Sequence, residues 1–316
     1  MTLQTLSSSI SCLLCQATQL DKIDSVSVAL LKKMYKQKFN TEVSFKDISR
    51  IDLFFCNQCG LKFFYPLMPG DEKFYEDLQH TPWYYVEDKQ EYDIASRFIE
   101  PSDKVLEIGA GRGVFSQKIS CREYVGLEFS QAAITAAHQV NVSLRKESVE
   151  SHAMHQPGQY DVVCAFQVLE HVTNVHEFIQ SCLDCLKPGG KLIFAVPSED
   201  AFLGLQADNI LNMPPHHATR WTDRCLENVA KIFKLSVFYI QHDDLSGTHS
   251  RAFSTSLVQH GLRTVFKIPL RVLDDKFLLF PVKIFVKTLS MVIQTYLRLF
   301  PMRLFGHSVT VVYRKQ

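Results

Sequence analysis

Short apolar runs, each bounded by glycine, proline or charged residues, recur through the middle of the chain. KVLEI (Lys104 to Ile108), EYVGLEFS, NVSLRKESVESHA and QYDVVCAFQVLEHV come first, followed by LKPGGKLIFAVPS, KLSVFYIQHDD and, at the end, GHSVTVVYRKQ. Runs this short and rich in β-branched residues suit strands buried on both faces. The third ends near Ser148 and Val149, and the fourth spans Asp161 to Phe166. The fifth starts at Lys191, after a helix stopped by Pro188-Gly189-Gly190. Stretches of helical period lie between them, RGVFSQKI among the first. Strands alternating with helices predict an α/β domain whose parallel sheet is covered on both sides.

Two regions break the alternation. Near the start, DSVSVALLKKMYKQKF reads as a helical insertion. Near the end, PVKIFVKTLSMVIQTYLRLF places Lys283, Lys287, Ser290, Gln294 and Arg298 at spacings of four, three, four and four. That is one polar stripe on a helix otherwise apolar all round. Its apolar surface requires cover from the body of the protein, a second copy of the chain or a lipid surface.

Composition adds limits. The 316 residues have room for one large domain with a small appendage, and 46% hydrophobic content with 21% charge is ordinary for a globular protein. The net charge of +1 conceals an asymmetry: residues 103–245 hold 12 Lys/Arg against 17 Asp/Glu, and residues 246–316 hold 11 against 2. A basic C-terminal block thus follows an acidic body. It lacks the interleaved aromatics and glycines of a nucleic-acid binder, so no such partner is expected. MTLQTLSSSI has no cationic stretch leading into an apolar core, and no eighteen-residue uncharged apolar window follows. Neither a leader nor a membrane span is expected. Nine cysteines, an odd and unevenly spaced set, fit a reducing, cytoplasmic setting.

Candidate chemistry begins at VLEIGAGRGVF. Gly109, Gly111 and Gly113 let the backbone turn tightly and approach a ligand without Cβ interference. Their G-x-G-x-G spacing differs from the dinucleotide pattern G-x-G-x-x-G. Glu128 ends the next strand, placed to accept hydrogen bonds from a ribose. Cys12 and Cys15 form one C-x-x-C knuckle and Cys56 and Cys59 another, four thiolates suited to a structural Zn²⁺. Cys182 and Cys185 have the same spacing but share the apolar face of a helix, so they read as small buried hydrophobes. In NMPPHHATRW two prolines stiffen a loop that presents His216 and His217. Either the loop offers a general base on the acceptor side, with His171 as another candidate, or it caps the helix that follows, with Arg220 and Trp221 as packing partners. A metal site from His216, His217 and Glu170 is a weaker reading.

The order of these motifs carries a resemblance. Lys104 to Pro197 resembles a class I S-adenosylmethionine-dependent methyltransferase: VLEIGAGRG as first motif, YVGLEFS as ribose-binding strand end, LKPGGKLIFAVP as entry to the fifth strand. ESVESHAMHQPGQYDVVCAFQVLEHV is similar to the ubiquinone-biosynthesis O-methyltransferase branch. CNQCGLKFFYPLMPGDEKFYEDLQ, with YYVEDKQEY, is similar to bacterial methyltransferases that carry a zinc-knuckle module before the catalytic domain. The resemblance implies a Rossmann-like seven-stranded sheet whose last strand runs antiparallel between the fifth and sixth. It implies S-adenosylmethionine over the first two strand ends, packed on Gly109, Ala110, Gly111 and Gly113. Glu107 would anchor the ammonium, Glu128 the ribose, and Phe129, Ser148 and Val149 the adenine, with Gln167 beside the methyl group. It places Tyr84, Tyr85 and Lys89 near cofactor or substrate, and in sugar methyltransferases of similar layout a loop histidine is the base.

The expectation is then a cytoplasmic methyltransferase acting on a small-molecule acceptor, most plausibly a sugar of a nucleotide-linked or surface-polysaccharide precursor. A quinone or phenol is the alternative acceptor, and a non-catalytic zinc-binding scaffold the alternative of another class. The expected divisions are a zinc-binding module (1–65), a helical linker or lid (66–102), the core (103–245), a basic helical insertion (246–305) and the last core strand (306–316). Residues 277–301 would meet a membrane surface or a second copy in a homodimer.

Overall fold

The computed structural model describes residues 10–79, 89–274, 280–300 and 303–316. The N-terminal part runs β1 (Leu20–Ser27), α1 (Val28–Phe39), β2 (Arg50–Cys56), β3 (Lys62–Tyr65), α2 (Glu72–Gln79) and α3 (Gln90–Ser96). The expected helical insertion therefore begins later than its sequence suggests. Alternating Asp-Ser-Val-Ser continues β1, with Val26 opposite Ile51, before the helix starts at Val28.

The core follows as β4 (Lys104–Ile108), β5 (Glu123–Leu127), α4 (Gln131–Gln139), β6 (Leu144–Arg145), α5 (Val149–His155), β7 (Tyr160–Phe166), α6 (Val175–Cys185) and β8 (Leu186–Pro197). Then come β9 (Thr219–Arg220), α7 (Asp223–Ile232), β10 (Leu235–Asp244), α8 (Ser250–Val265), α9 (Phe280–Leu299) and β11 (Phe305–Lys315). Seven strands form one sheet in the order β10-β11-β8-β7-β4-β5-β6, with β11 antiparallel to both its neighbours. This is the expected Rossmann-like sheet. Alternate residues go to opposite faces: Leu106, Val163 and Phe194 pack into one layer, Val105, Val162 and Ile193 into the other. Each such fully buried side chain contributes roughly 1.5–3 kcal/mol.

Two local expectations are corrected. RGVFSQKI makes only a 3₁₀ turn over Phe115–Lys118, because left-handed Gly113 (φ +73°) and extended Ile119 leave too few residues to propagate an α-helix. The third strand stops at Arg145, and Ser148 instead caps α5, its hydroxyl accepting from Ser151 N–H. Cys182 and Cys185 are fully buried in α6, as small apolar residues would be.

The N-terminal strands are not a separate sheet. β1, β2 and β3 are completed by β9, from beyond the fifth core strand, with Lys62 opposite Arg220 and Phe63 opposite Thr219. Cys12, Leu14, Cys56 and Phe63 share a buried cluster with Val175, Phe178 and Trp221. His176 donates from its backbone N–H to the Leu13 carbonyl at 3.0 Å and from Nδ1 to the Leu14 carbonyl at 2.8 Å.

The polar stripe read along α9 is split. Ser290 and Gln294 turn inward, Gln294 Nε2 donating to Ser250 Oγ on α8 at 3.0 Å, while Lys287 and Arg298 face outward. Among the described residues no helix is long and apolar enough to cross a membrane.

Candidate active site

β4 ends in a turn that admits little besides glycine. Gly109 has φ +69°, and a Cβ there would lie 2.5 Å from Val168 Cγ2. Gly111, at φ +55°, has nothing within 4 Å of where its Cβ would point, so the space above the turn is open. Buried Ala110 donates its N–H to the Leu127 carbonyl at 3.0 Å, tying the turn to the end of β5. Glu128 folds back over it: Oε2 accepts from Gly111 N–H, and Oε1 from the N–H groups of Phe129 and Ser130, all at 2.8 Å. Phe129 is 62% exposed and offers a flat apolar face beside that carboxylate. Gly113 abuts Val142, and Val149 lies buried behind the Ser148 cap.

Glu107 in β4 and residues at or beyond the ends of other strands of the same sheet add buried carboxyls. Glu107 is 1% exposed and accepts a 2.5 Å bond from Tyr124 Oη; burial pushes its carboxyl up to about 8. Burial likewise pushes Glu170 and Asp243 up to about 8. Glu170 Oε2 has no hydrogen-bond partner among the described residues. The Lys89 ammonium lies 4.0 Å from Glu91 Oε1, and its charge also acts on Glu107, Glu170 and Asp243. So many carboxyls around one ammonium suit a ligand that brings positive charge of its own. Tyr84 and Tyr85 lie outside the described residues.

The opposite side is built from segments far apart in sequence. Gln167 stands at the end of β7 with φ +56°, a strained backbone for a non-glycine residue, and its Nε2 donates to Ser308 Oγ at 2.9 Å and Glu91 Oε1 at 3.3 Å. Just beyond it, His171 meets His216 and His217, with ring centroids 4.7 and 5.0 Å away. Each imidazole donates from Nδ1: His171 to the His216 carbonyl at 2.5 Å, His216 to the Leu211 carbonyl at 2.9 Å, His217 to Asn212 Oδ1 at 3.1 Å. That fixes the tautomer and leaves the lone pair on Nε2. One nitrogen from each ring lies within 4.8 Å of the others, a set that can also hold a metal ion. Burial pushes His171 down to about 4, and His216 and His217 well below the usual histidine range, so all three are neutral near pH 7.

The histidine loop does not cap α7, a role filled by the Thr222 hydroxyl. It is instead held by segments that precede the core. Gly70 N–H donates to the Pro215 carbonyl at 3.1 Å and Phe64 N–H to the Ala218 carbonyl at 3.0 Å. Arg220, over the Phe64 ring, pairs with Glu199, which also pairs with Lys62. Trp221 is fully buried, so these two are packing partners as the sequence allowed.

Behind β3 lie the two knuckles. Cys12 Sγ stands 3.5 Å from Cys59 Sγ, and Cys15 Sγ 3.4 Å from Cys56 Sγ; all four sulfurs lie within 4.8 Å of one another. Each knuckle closes on a left-handed residue, Gln16 or Gly60, whose N–H donates to the first cysteine's carbonyl. Burial pushes the Cys15 thiol up to about 12, so these sulfurs need a cation to become thiolates. The set fits a tetrahedral zinc ion.

Tyr75, whose ring lies 5.8 Å from that of His171 and 6.1 Å from that of His216, escaped the sequence reading, as did Glu91, Tyr124 and Ser308. Tyr124 had a signal: a glutamate inside an apolar strand requires a donor, and the adjacent strand offers this hydroxyl.

Residues 85–256, just over half of the chain, match the family described as Methyltransferase domain. The ubiquinone biosynthesis O-methyltransferases of Pseudomonas savastanoi pv. phaseolicola and Proteus mirabilis are 34% and 32% identical over 124 residues. Those residues cover 35% of this chain and 53% and 51% of theirs, so the chain spans about half the length of the curated relatives it matches. A SAM dependent methyltransferase from Archaeoglobus fulgidus shares the fold, with a TM-score of 0.51 at 14% identity over 76% of this chain and 100% of the other.

Proposed function

This chain belongs to the methyltransferase-domain family, a class I fold whose cofactor is S-adenosylmethionine, and from that premise we propose that it methylates a hydroxyl of a small molecule. The acceptor we infer is a sugar of a nucleotide-linked or surface-polysaccharide precursor. One observation carries the reading: beside a turn suited to S-adenosylmethionine stands a wall of neutral hydrogen-bonding groups, His171, His216, His217, Gln167 and Ser308. A polyhydroxylated acceptor can be oriented there through several hydroxyls at once.

The residues fit the cofactor. Open space above Gly111, the Glu128 carboxylate, the exposed Phe129 face and the excess of buried carboxyls suit its ribose, adenine and two positive charges. When bound, it supplies an electrophilic methyl group. The protein's own task is then to bind the acceptor, exclude water and receive a hydroxyl proton. Nε2 of His216 or His217 is the proposed proton acceptor, neutral at working pH but weakly basic because it is buried. Zn²⁺ held by Cys12, Cys15, Cys56 and Cys59 would fix the module that anchors this loop.

A quinone or phenol is the second reading, favoured by the names of the curated relatives. Labelled S-adenosylmethionine offered with nucleotide sugars and, separately, with catechols separates the two. Label appearing on catechols and on no sugar would overturn the sugar assignment; label on neither, with intact cofactor binding, would favour a scaffold.

A further inference from the structure

α9 is packed with its apolar side outward. Its inner face, Val286, Ser290, Ile293, Gln294 and Leu297, includes two polar residues, and buried Ser290 Oγ has no hydrogen-bond partner among the described residues. Its outer face carries Phe285, Leu289, Val292, Tyr296 and Leu299, at spacings of four, three, four and three. These are 52%, 37%, 60%, 52% and 69% exposed, a continuous apolar seam along the helix. Phe266 and Val265 at the end of α8 add 66% and 74% exposed apolar side chains, and Phe300 extends the seam. A seam of this length is more than the scattered exposed leucines of an ordinary surface.

Charge identifies what covers it. Residues 246–316 hold 11 Lys/Arg against 2 Asp/Glu, and Lys287, Arg298, Arg251 and Lys267 are exposed on or beside the two helices. A second copy would bring an equally basic surface against this one, and the two would repel. A bilayer with anionic headgroups attracts the basic residues while its acyl boundary takes up the apolar seam. Among the described residues no helix is long and apolar enough to cross a membrane, so α9 would lie in the plane of the surface.

We propose that α9 and the end of α8 form a docking surface for an anionic phospholipid bilayer, holding the enzyme against the membrane face. The proposal is independent of the acceptor's identity, since a surface-bound enzyme can act on a soluble or a lipid-borne sugar.

The test is co-sedimentation of the full chain with vesicles of phosphatidylcholine alone and of phosphatidylcholine with one-third phosphatidylglycerol. Binding is expected to the mixed vesicles, to weaken with added salt, and to be nearly absent on neutral ones. Phe285→Glu with Val292→Glu, both at exposed positions, should lower the partition coefficient at least tenfold. Lys287→Glu with Arg298→Glu should lower it roughly tenfold on anionic vesicles. S-adenosylmethionine affinity, measured on the same variants, reports that each is folded. No sedimentation with anionic vesicles, or undiminished binding by the Phe285→Glu/Val292→Glu variant, would overturn the proposal. So would a lipid-free dimer in ultracentrifugation that this variant dissociates, which assigns the seam to a second copy.

Discussion

The turn proposed to face the cofactor and the wall proposed to face the acceptor differ in how the chain builds them. Glu107, Gly109, Gly111 and Glu128 come from two adjacent parallel strands, and their positions follow from sheet register and one tight turn. The proposed acceptor wall gathers Gln167, His171, His216, His217 and Ser308 from a strand end, a 3₁₀ turn, a long loop and the last strand. The N-terminal module then braces that loop through β3 and β9. Local geometry secures the first side, and tertiary contacts across most of the chain secure the second. The two sides should therefore fail separately.

The largest separation is expected at the histidines. His216→Ala and His217→Ala should each lower turnover ~10²–10⁴-fold if that ring accepts the proton, while S-adenosylmethionine affinity changes less than about twofold, because the Glu128 turn is held by its own backbone N–H groups. The sequence alone places such a base near pH 6.5. Burial moves that inflection well down, so the rate should be level through neutral pH and fall only in acid. If both variants keep full turnover on the true acceptor, the wall is structural.

Next in size is the brace. Cys56→Ser should release the metal, seen by elemental analysis, and loosen the pairing of Lys62 with Arg220 three residues from His217. Turnover should drop by about tenfold or more, with cofactor affinity retained. Equal losses on both sides would erase the distinction drawn between them.

What could be read from the sequence follows the same division. The turn was legible because contiguous residues make it: glycines at alternate positions, an acid within one strand and an acid closing the next. The sheet was legible because each strand announces itself by a short apolar run. Gln167 and the histidines were named, yet nothing in their spacing revealed that β9 would join the module's sheet or that Pro215 and Ala218 would bond to Gly70 and Phe64. Two-residue strands have no periodicity to detect. The outward seam of α9 was also hidden, since periodicity shows that a helix has faces and not which one the protein covers.

A smaller effect should appear at Glu128. Its replacement by Ala removes an acceptor for three backbone N–H groups and for the ribose, and should weaken S-adenosylmethionine by ~1.5–3 kcal/mol with turnover at saturation nearly kept. A further effect, on stability rather than on binding or turnover, concerns Glu107. Its folded-state pKa of about 8 stands above the ordinary 4.5, so folding favours the protonated carboxyl. The stability gained is full below about 4.5 and is lost as pH rises through about 8. Thermal melts of ligand-free protein across that window should show the decline, and Glu107→Gln should flatten its own share of it.

The turn between β4 and β5 is expected to hold S-adenosylmethionine rather than a dinucleotide. Isothermal calorimetry of the intact protein with each ligand tests it directly. Micromolar binding of S-adenosylmethionine, lost or much weakened in Glu128→Ala, with no heat from NADH, is the predicted result. Tight NADH binding with silence toward S-adenosylmethionine would contradict it.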